Sequence, residues 1–220
     1  MKRTKLRDRK LPSYTLGEEL LNSISHGTGT LASIAGLVFC LLRADNAYAV
    51  VSSCIYGLGL IVVFTISCVY HALRPGTAKK VLQIIDHCTI YLLIAGTYTV
   101  IVLSAIRPAD PVLGWSLFGF QWAVAALAVT LTAIDLKKYG VFSMICYIGM
   151  GWAVIPFWKK AMEVLTQPGF LLLLFGGIAY TIGSILYGLG RTRKWMHGVF
   201  HIFVLIGAGL QYLCVLLYVL

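Results

Sequence analysis

His197 and His201 stand four residues apart, a spacing that puts both imidazoles on one face of a helix. Ser67 and His71 repeat it. Three imidazoles from two helices can take three corners of a tetrahedron around zinc and leave the fourth for water, which is how a catalytic rather than a sealed zinc is held. The segment from His197 to His201 lacks the intervening glutamate that a zincin uses as its base. Asp86 is therefore the candidate base, or the acceptor that orients the water. Ser67, one turn below His71, is a candidate donor to a substrate carbonyl or to that water. The candidate metal ligands are thus His71, His197 and His201, and the candidate catalytic residues Asp86 and Ser67. A second reading stays open, because intramembrane histidines commonly serve as hydrogen-bonding glue between helices.

The elements that must position these residues follow from composition. Of 220 residues, 59% are apolar and 12% charged, half the charge of a soluble domain. Lys and Arg outnumber Asp and Glu by 18 to 8, yet they fall in short clusters between apolar runs. That pattern excludes a nucleic-acid-binding face and indicates a polytopic membrane protein. Crossing a hydrocarbon core of ~30 Å takes about 20 helical residues. Seven runs qualify: Ile24–Leu42, Ala47–Leu73, Val81–Ile106, Val112–Ile134, Gly140–Trp158, Phe170–Gly190 and Trp195–Leu220. None alternates strictly between polar and apolar, which excludes a transmembrane β-barrel. The expected fold class is all-α, an integral membrane bundle of seven transmembrane helices. Residues 1–23 are expected to form a basic cytoplasmic segment with a short amphipathic helix, and residues 24–220 the membrane domain.

Orientation follows from the basic residues. Lys2, Arg3, Lys5, Arg7, Arg9 and Lys10 precede the first run; Arg74, Lys79, Lys80, Lys137, Lys138, Arg191, Arg193 and Lys194 fall in loops on the same side. The other side holds only Arg43, Arg107, Lys159 and Lys160. Positive charge stays cytoplasmic, so the N-terminus is expected inside and the C-terminus outside. Trp115, Trp158 and Trp195, near span ends, suit interfacial belts. All five histidines and Asp86 then fall near cytoplasmic span ends, Asp86 and His201 about 8–11 Å along their helices. A common layer is what a single site requires.

Other signals are negative or ambiguous. Cleavage at Ala47-Tyr48-Ala49 would need a leader far longer than the usual 15–30 residues. The six cysteines form no C-x-x-C pair and indicate no disulfide framework. Asp135 reads as a loop charge beside Lys137 and Lys138. Glu18, Asn22 and His26 make one polar helix stripe, which suits an interfacial segment or a role in the site.

The residues together resemble the hemolysin III family, a bacterial branch of the progestin and adipoQ receptor superfamily. The carriers are Glu18 to Gly27 (EELLNSISHG), Ser67 to His71 (SCVYH), Asp86 to Tyr91 (DHCTIY) followed by Gly96-Thr97-Tyr98-Thr99, and His197 to His201 (HGVFH). The resemblance implies a seven-helix membrane protein with an intramembrane zinc on His71, His197 and His201, with Asp86 and Ser67 beside it. The wider group includes alkaline ceramidases, which implies water activation and hydrolysis of lipid amides. Two positions depart from the pattern: Val100 replaces a frequent proline, which removes the expected cause of a kink in span three, and Gln211 replaces a frequent outer histidine.

The expected function is a zinc-dependent hydrolase of a lipid-like amide or ester in a bacterial plasma membrane, with its metal site near the cytoplasmic face. Its expected partners are the lipid bilayer and a lipid-like small molecule. Two other classes stand beside it: a sensor or receptor of lipid or energy state with structural zinc, and a cytolytic pore. No span carries the continuous polar stripe that a pore would need.

Overall fold

The computed structural model describes residues 3–220, so Met1 and Lys2 of the basic N-terminal cluster lie outside the described residues. The described residues contain helices and no strands. The principal helices are α1 (Leu16–Arg43), α2 (Ala47–Ala72), α3 (Thr77–Ile101), α4 (Pro111–Ile134), α5 (Gly140–Gly151), α6 (Trp158–Leu189) and α7 (Met196–Cys214). Six stretches are long and apolar enough to cross a membrane, the fifth of them being Gly140–Leu189, which contains both α5 and α6.

Local chemistry sets the boundaries. Thr15 and Glu18 form a reciprocal capping box, so α1 begins at Leu16 and the polar stretch before Ile24 belongs to the same helix as the apolar run. Asn46 caps α2 through the amide of Ala49, and Asp110 caps α4 with Pro111 in its first turn. Although Val100 is not proline, α3 does change: it passes through a π-turn at Val102–Ile106. The predicted span Gly140–Trp158 is not one α-helix. Its α-helix ends at Gly151, and a 3-10 turn at Ile155–Phe157 carries Pro156. Inside α6, Thr166 takes φ 60° and ψ 170° two residues before Pro168 and breaks the helix.

Two ends of the bundle can be told apart by contacts between distant segments. At one end, Arg3 Nε donates to the Ile134 carbonyl at 2.9 Å and the Thr4 amide to Asp135 at 2.7 Å. Lys80 Nζ donates to the Arg7 carbonyl, and the Trp195 amide to Glu18. These contacts gather the N-terminal segment with the α2–α3, α4–α5 and α6–α7 connections. At the far end, Arg107 lies over the Tyr48 ring, joining the α1–α2 and α3–α4 connections. The chain leaves the basic end at Gly140 and returns to it at Leu189, turning between the two.

The third helix is the hub. It packs on α2, α4 and α5, and 72% of its most apolar stretch is buried within the protein, against 22–44% for the other candidate spans. Lipid tails are as apolar as leucine, so the core is held by close packing rather than by escape from water. Tyr56, Val100, Val102, Ile106, Leu165 and Val215 form its centre.

Candidate metal centre

His71 lies in the last turn of α2, and His197 and His201 in the first turns of α7. Trp195 starts α7 from a left-handed backbone, φ 66°, which a large side chain seldom adopts. Its amide is anchored on Glu18 Oε1 at 2.7 Å, and this contact fixes where His197 emerges. Gly198 then lets α7 approach α1: a side chain there would meet Leu21 at 2.6 Å and Asn22 Oδ1 at 3.2 Å.

The three histidines converge through their Nε2 atoms. His197 Nε2 is 3.4 Å from His71 Nε2 and 3.2 Å from His201 Nε2. Nitrogens bound to one tetrahedral zinc at ~2.0–2.1 Å sit about 3.3 Å apart. All three ligand atoms lie within 4.8 Å of one another, so the group could hold a metal ion. His71 and His201 are 2% and 1% exposed, and His197 is buried under Tyr14, whose ring stacks on it at 4.9 Å. Burial raises the pKa of the Tyr14 phenol well above its ordinary value, so the ring stays neutral.

A cavity of about 180 Å³ adjoins the cluster, lined at this end by Ser67, Asp86, His197 and His201. It extends to Tyr98 and Phe170; from Asp86 to Tyr98 along α3 is roughly 18 Å. Ser67, on α2, and Asp86, on α3, face this cavity together. Four of the five sequence-predicted site residues thus line one cavity, and the fifth, His71, joins His197 and His201 in the histidine cluster. The fifth histidine of the layer, His87, is committed elsewhere. Its Nδ1 donates to the Gln83 carbonyl at 2.8 Å, which makes Nε2 the acceptor for the Tyr187 hydroxyl at 3.1 Å.

The polar stripe of α1 is buried in the bundle, with Asn22 fully enclosed and His26 stacked on His201 at 3.8 Å. Both His26 nitrogens, Asn22 Oδ1 and His201 Nδ1 lack partners among the described residues. Sequence reasoning missed Glu19, whose Oε2 lies 2.6 Å from His71 Nδ1, and Lys79, which pairs with Glu19. A signal for Glu19 existed: it lies three residues before Asn22 and seven before His26, on the same helix face. Lys79 offered none, since its place in a basic cluster reads as a loop charge.

An all-helical membrane protein with a three-histidine group able to hold a metal is the class that fold and site define. A profile of haemolysin-III-related proteins matches residues 14–212, and the chain belongs to that family. It is 37% identical to Hemolysin-3 of Bacillus cereus over 206 residues, 92% of each chain. It is 36% identical to the Hemolysin-3 homolog of Bacillus subtilis (strain 168), covering 93% of this chain and 96% of that one. More distantly, it is 25% identical to the human monocyte to macrophage differentiation factor, covering 90% of this chain and 83% of that one.

Proposed function

We propose that this protein is a zinc-dependent hydrolase of a lipid-like amide or ester, crossing the bacterial plasma membrane seven times with its N-terminus and metal centre on the cytoplasmic side. The observation that carries the reading is the convergence of His71, His197 and His201, with the His197 Nε2 atom 3.2–3.4 Å from those of its two neighbours, beside a cavity whose wall holds His197, His201, Asp86 and Ser67. Zinc held by the three imidazoles would supply Lewis acidity, lowering the pKa of water and polarising a carbonyl. Asp86 then accepts the proton of the attacking water at its carboxylate and returns it to the leaving amine or alcohol. Ser67, in the same cavity wall, donates its hydroxyl proton in a hydrogen bond to the substrate carbonyl. The mostly apolar lining of the cavity suits an apolar chain, with the scissile bond at the polar end.

A receptor-like protein with structural zinc is the second reading, favoured by the Tyr14 ring that covers His197. The name Hemolysin-3 borne by the Bacillus cereus relative suggests lysis of membranes; the apolar Val154, Phe170 and Leu173 lining this cavity offer no path for ions.

Asp86→Asn separates catalysis from structure, because it keeps shape and one oxygen but cannot take a proton at neutral pH. Purified protein in vesicles of bacterial lipid extract should release fatty acid in a chelator-sensitive way. The variant should keep its zinc while release falls by roughly 10²–10⁴-fold. An Asp86→Asn protein that retains zinc and releases fatty acid at the wild-type rate would defeat the catalytic reading.

A further inference from the structure

The hydrolytic scheme leaves two ionic side chains at the site without a task. Lys79 is 2% exposed, and a buried lysine persists only when paired. Its Nζ meets Glu19 Oε1 and the Leu73 carbonyl, the latter at 2.9 Å, and lies 5.2 Å from the centre of the Tyr70 ring. The other oxygen of Glu19 reaches His71 Nδ1 at 2.6 Å. One carboxylate therefore joins α1 to the last turn of α2 and the first turn of α3.

A carboxylate only accepts hydrogen bonds, so the His71 proton that meets Glu19 must sit on Nδ1. The lone pair of the neutral ring is then on Nε2, the atom that faces His197 Nε2 at 3.4 Å. Asn22 agrees with this assignment. Its Nδ2 stands 3.4 Å from His71 Nδ1, while its Oδ1 is buried without a partner. Turning the amide over brings the oxygen to the same N–H. His201 has no comparable support, since its Nδ1 has no partner among the described residues.

We propose that Glu19, held in place by Lys79, is a positioning residue that fixes the tautomer and ring orientation of His71 so that Nε2 is presented to the metal. The inference rests on the metal reading of the three histidines and adds α1, which supplies no ligand, to the metal centre. Carboxylates behind ligating histidines typically account for 10–100-fold in metal affinity.

Two measurements on the full-length protein in detergent test this. Zinc affinity, from competition with a chromophoric chelator, should fall 10–100-fold in Glu19→Ala. It should fall less in Glu19→Gln, which keeps an acceptor oxygen and the side-chain volume. Histidine 15N chemical shifts of the metal-free protein should report the Nδ1–H tautomer for His71 in the wild type and its loss in Glu19→Ala. A carboxylate that merely pins helices together would lower stability and leave that tautomer unchanged. Should Glu19→Ala not fold, Glu19→Gln carries both readouts. Wild-type affinity together with an unchanged tautomer in Glu19→Gln and Glu19→Ala overturns the proposal while the metal reading stands. Absence of zinc binding by the wild type overturns both.

Discussion

At its start, α3 places Lys79 against a carboxylate, with a histidine beyond it; about six turns later Val100, Val102 and Ile106 are enclosed by apolar side chains. The two ends of the bundle differ in what they bury: ionisable groups are buried at the basic end, and mainly apolar groups with a few small polar ones such as Ser52 and Ser53 at the other. Away from the basic end, stability comes from fit, as in mid-bundle where α6 and α7 cross with Gly176 and Gly207 almost in backbone contact. At the basic end Glu18, Asn22, His26, His71, Lys79, His197 and His201 are all buried, although each polar group there costs free energy unless it is satisfied. Packing alone would be served better by leucine. The far end holds the helices together, and the proposed chemistry at the basic end would justify the cost of burying polarity there.

Sidedness gives the largest effect with which to test that contrast, because its outcome is all-or-none. In intact cells, tags at the N-terminus and in the Arg191–Lys194 loop should be shielded, while a tag at the C-terminus should be reached by impermeant reagents. Reversed accessibility would contradict the charge asymmetry and move the histidine cluster to the outer leaflet.

A packing lesion should be intermediate in size and confined to stability. A side chain on Gly176 would meet Gln211 Cγ at 2.6 Å and the Gly207 carbonyl at 3.1 Å. Gly176→Leu should cost about 1–3 kcal/mol, read as a lower unfolding temperature in detergent, with zinc per folded chain unchanged. Loss of zinc in parallel would show that the two ends form one mechanical unit.

The smallest effect concerns the segment laid across the basic end. The amides of Thr4, Lys138 and Lys137 donate to Asp135 and hold its carboxyl below the usual carboxylate range. A depressed folded pKa means that this stabilisation is complete above the ordinary carboxylate pKa and is lost as pH falls through the depressed value. Acid should therefore loosen residues near Thr4, measured as a longer distance between labels at the N-terminus and the Lys138 loop. Asp135→Ala should show the longer distance already at neutral pH; a distance independent of both pH and the substitution would deny Asp135 this role.

Sequence was most informative where periodicity fixes direction. A four-residue interval commits His197 and His201 to one face, and charge alternation between loops brings His71 and Asp86 to the same end. It was least informative where a rotamer decides. Glu18 and Glu19 are adjacent, yet one caps α1 and anchors Trp195 while the other reaches His71. The cap was written in Thr15 and Glu18 as a Thr-x-x-Glu pattern; the reach of Glu19 was not, because its partner is fifty-two residues away. Hydropathy likewise read Gly140–Trp158 as continuous, while the helix ends at Gly151 and the turns that follow carry Pro156.

The zinc content of purified wild-type protein and three single variants tests the central claim most directly. One zinc per chain is expected in the wild type. His71→Ala and His197→Ala should each lose it, whereas His87→Ala should keep it, since both His87 nitrogens are held by Gln83 and Tyr187. Full zinc occupancy in both His71→Ala and His197→Ala would contradict the three-histidine centre.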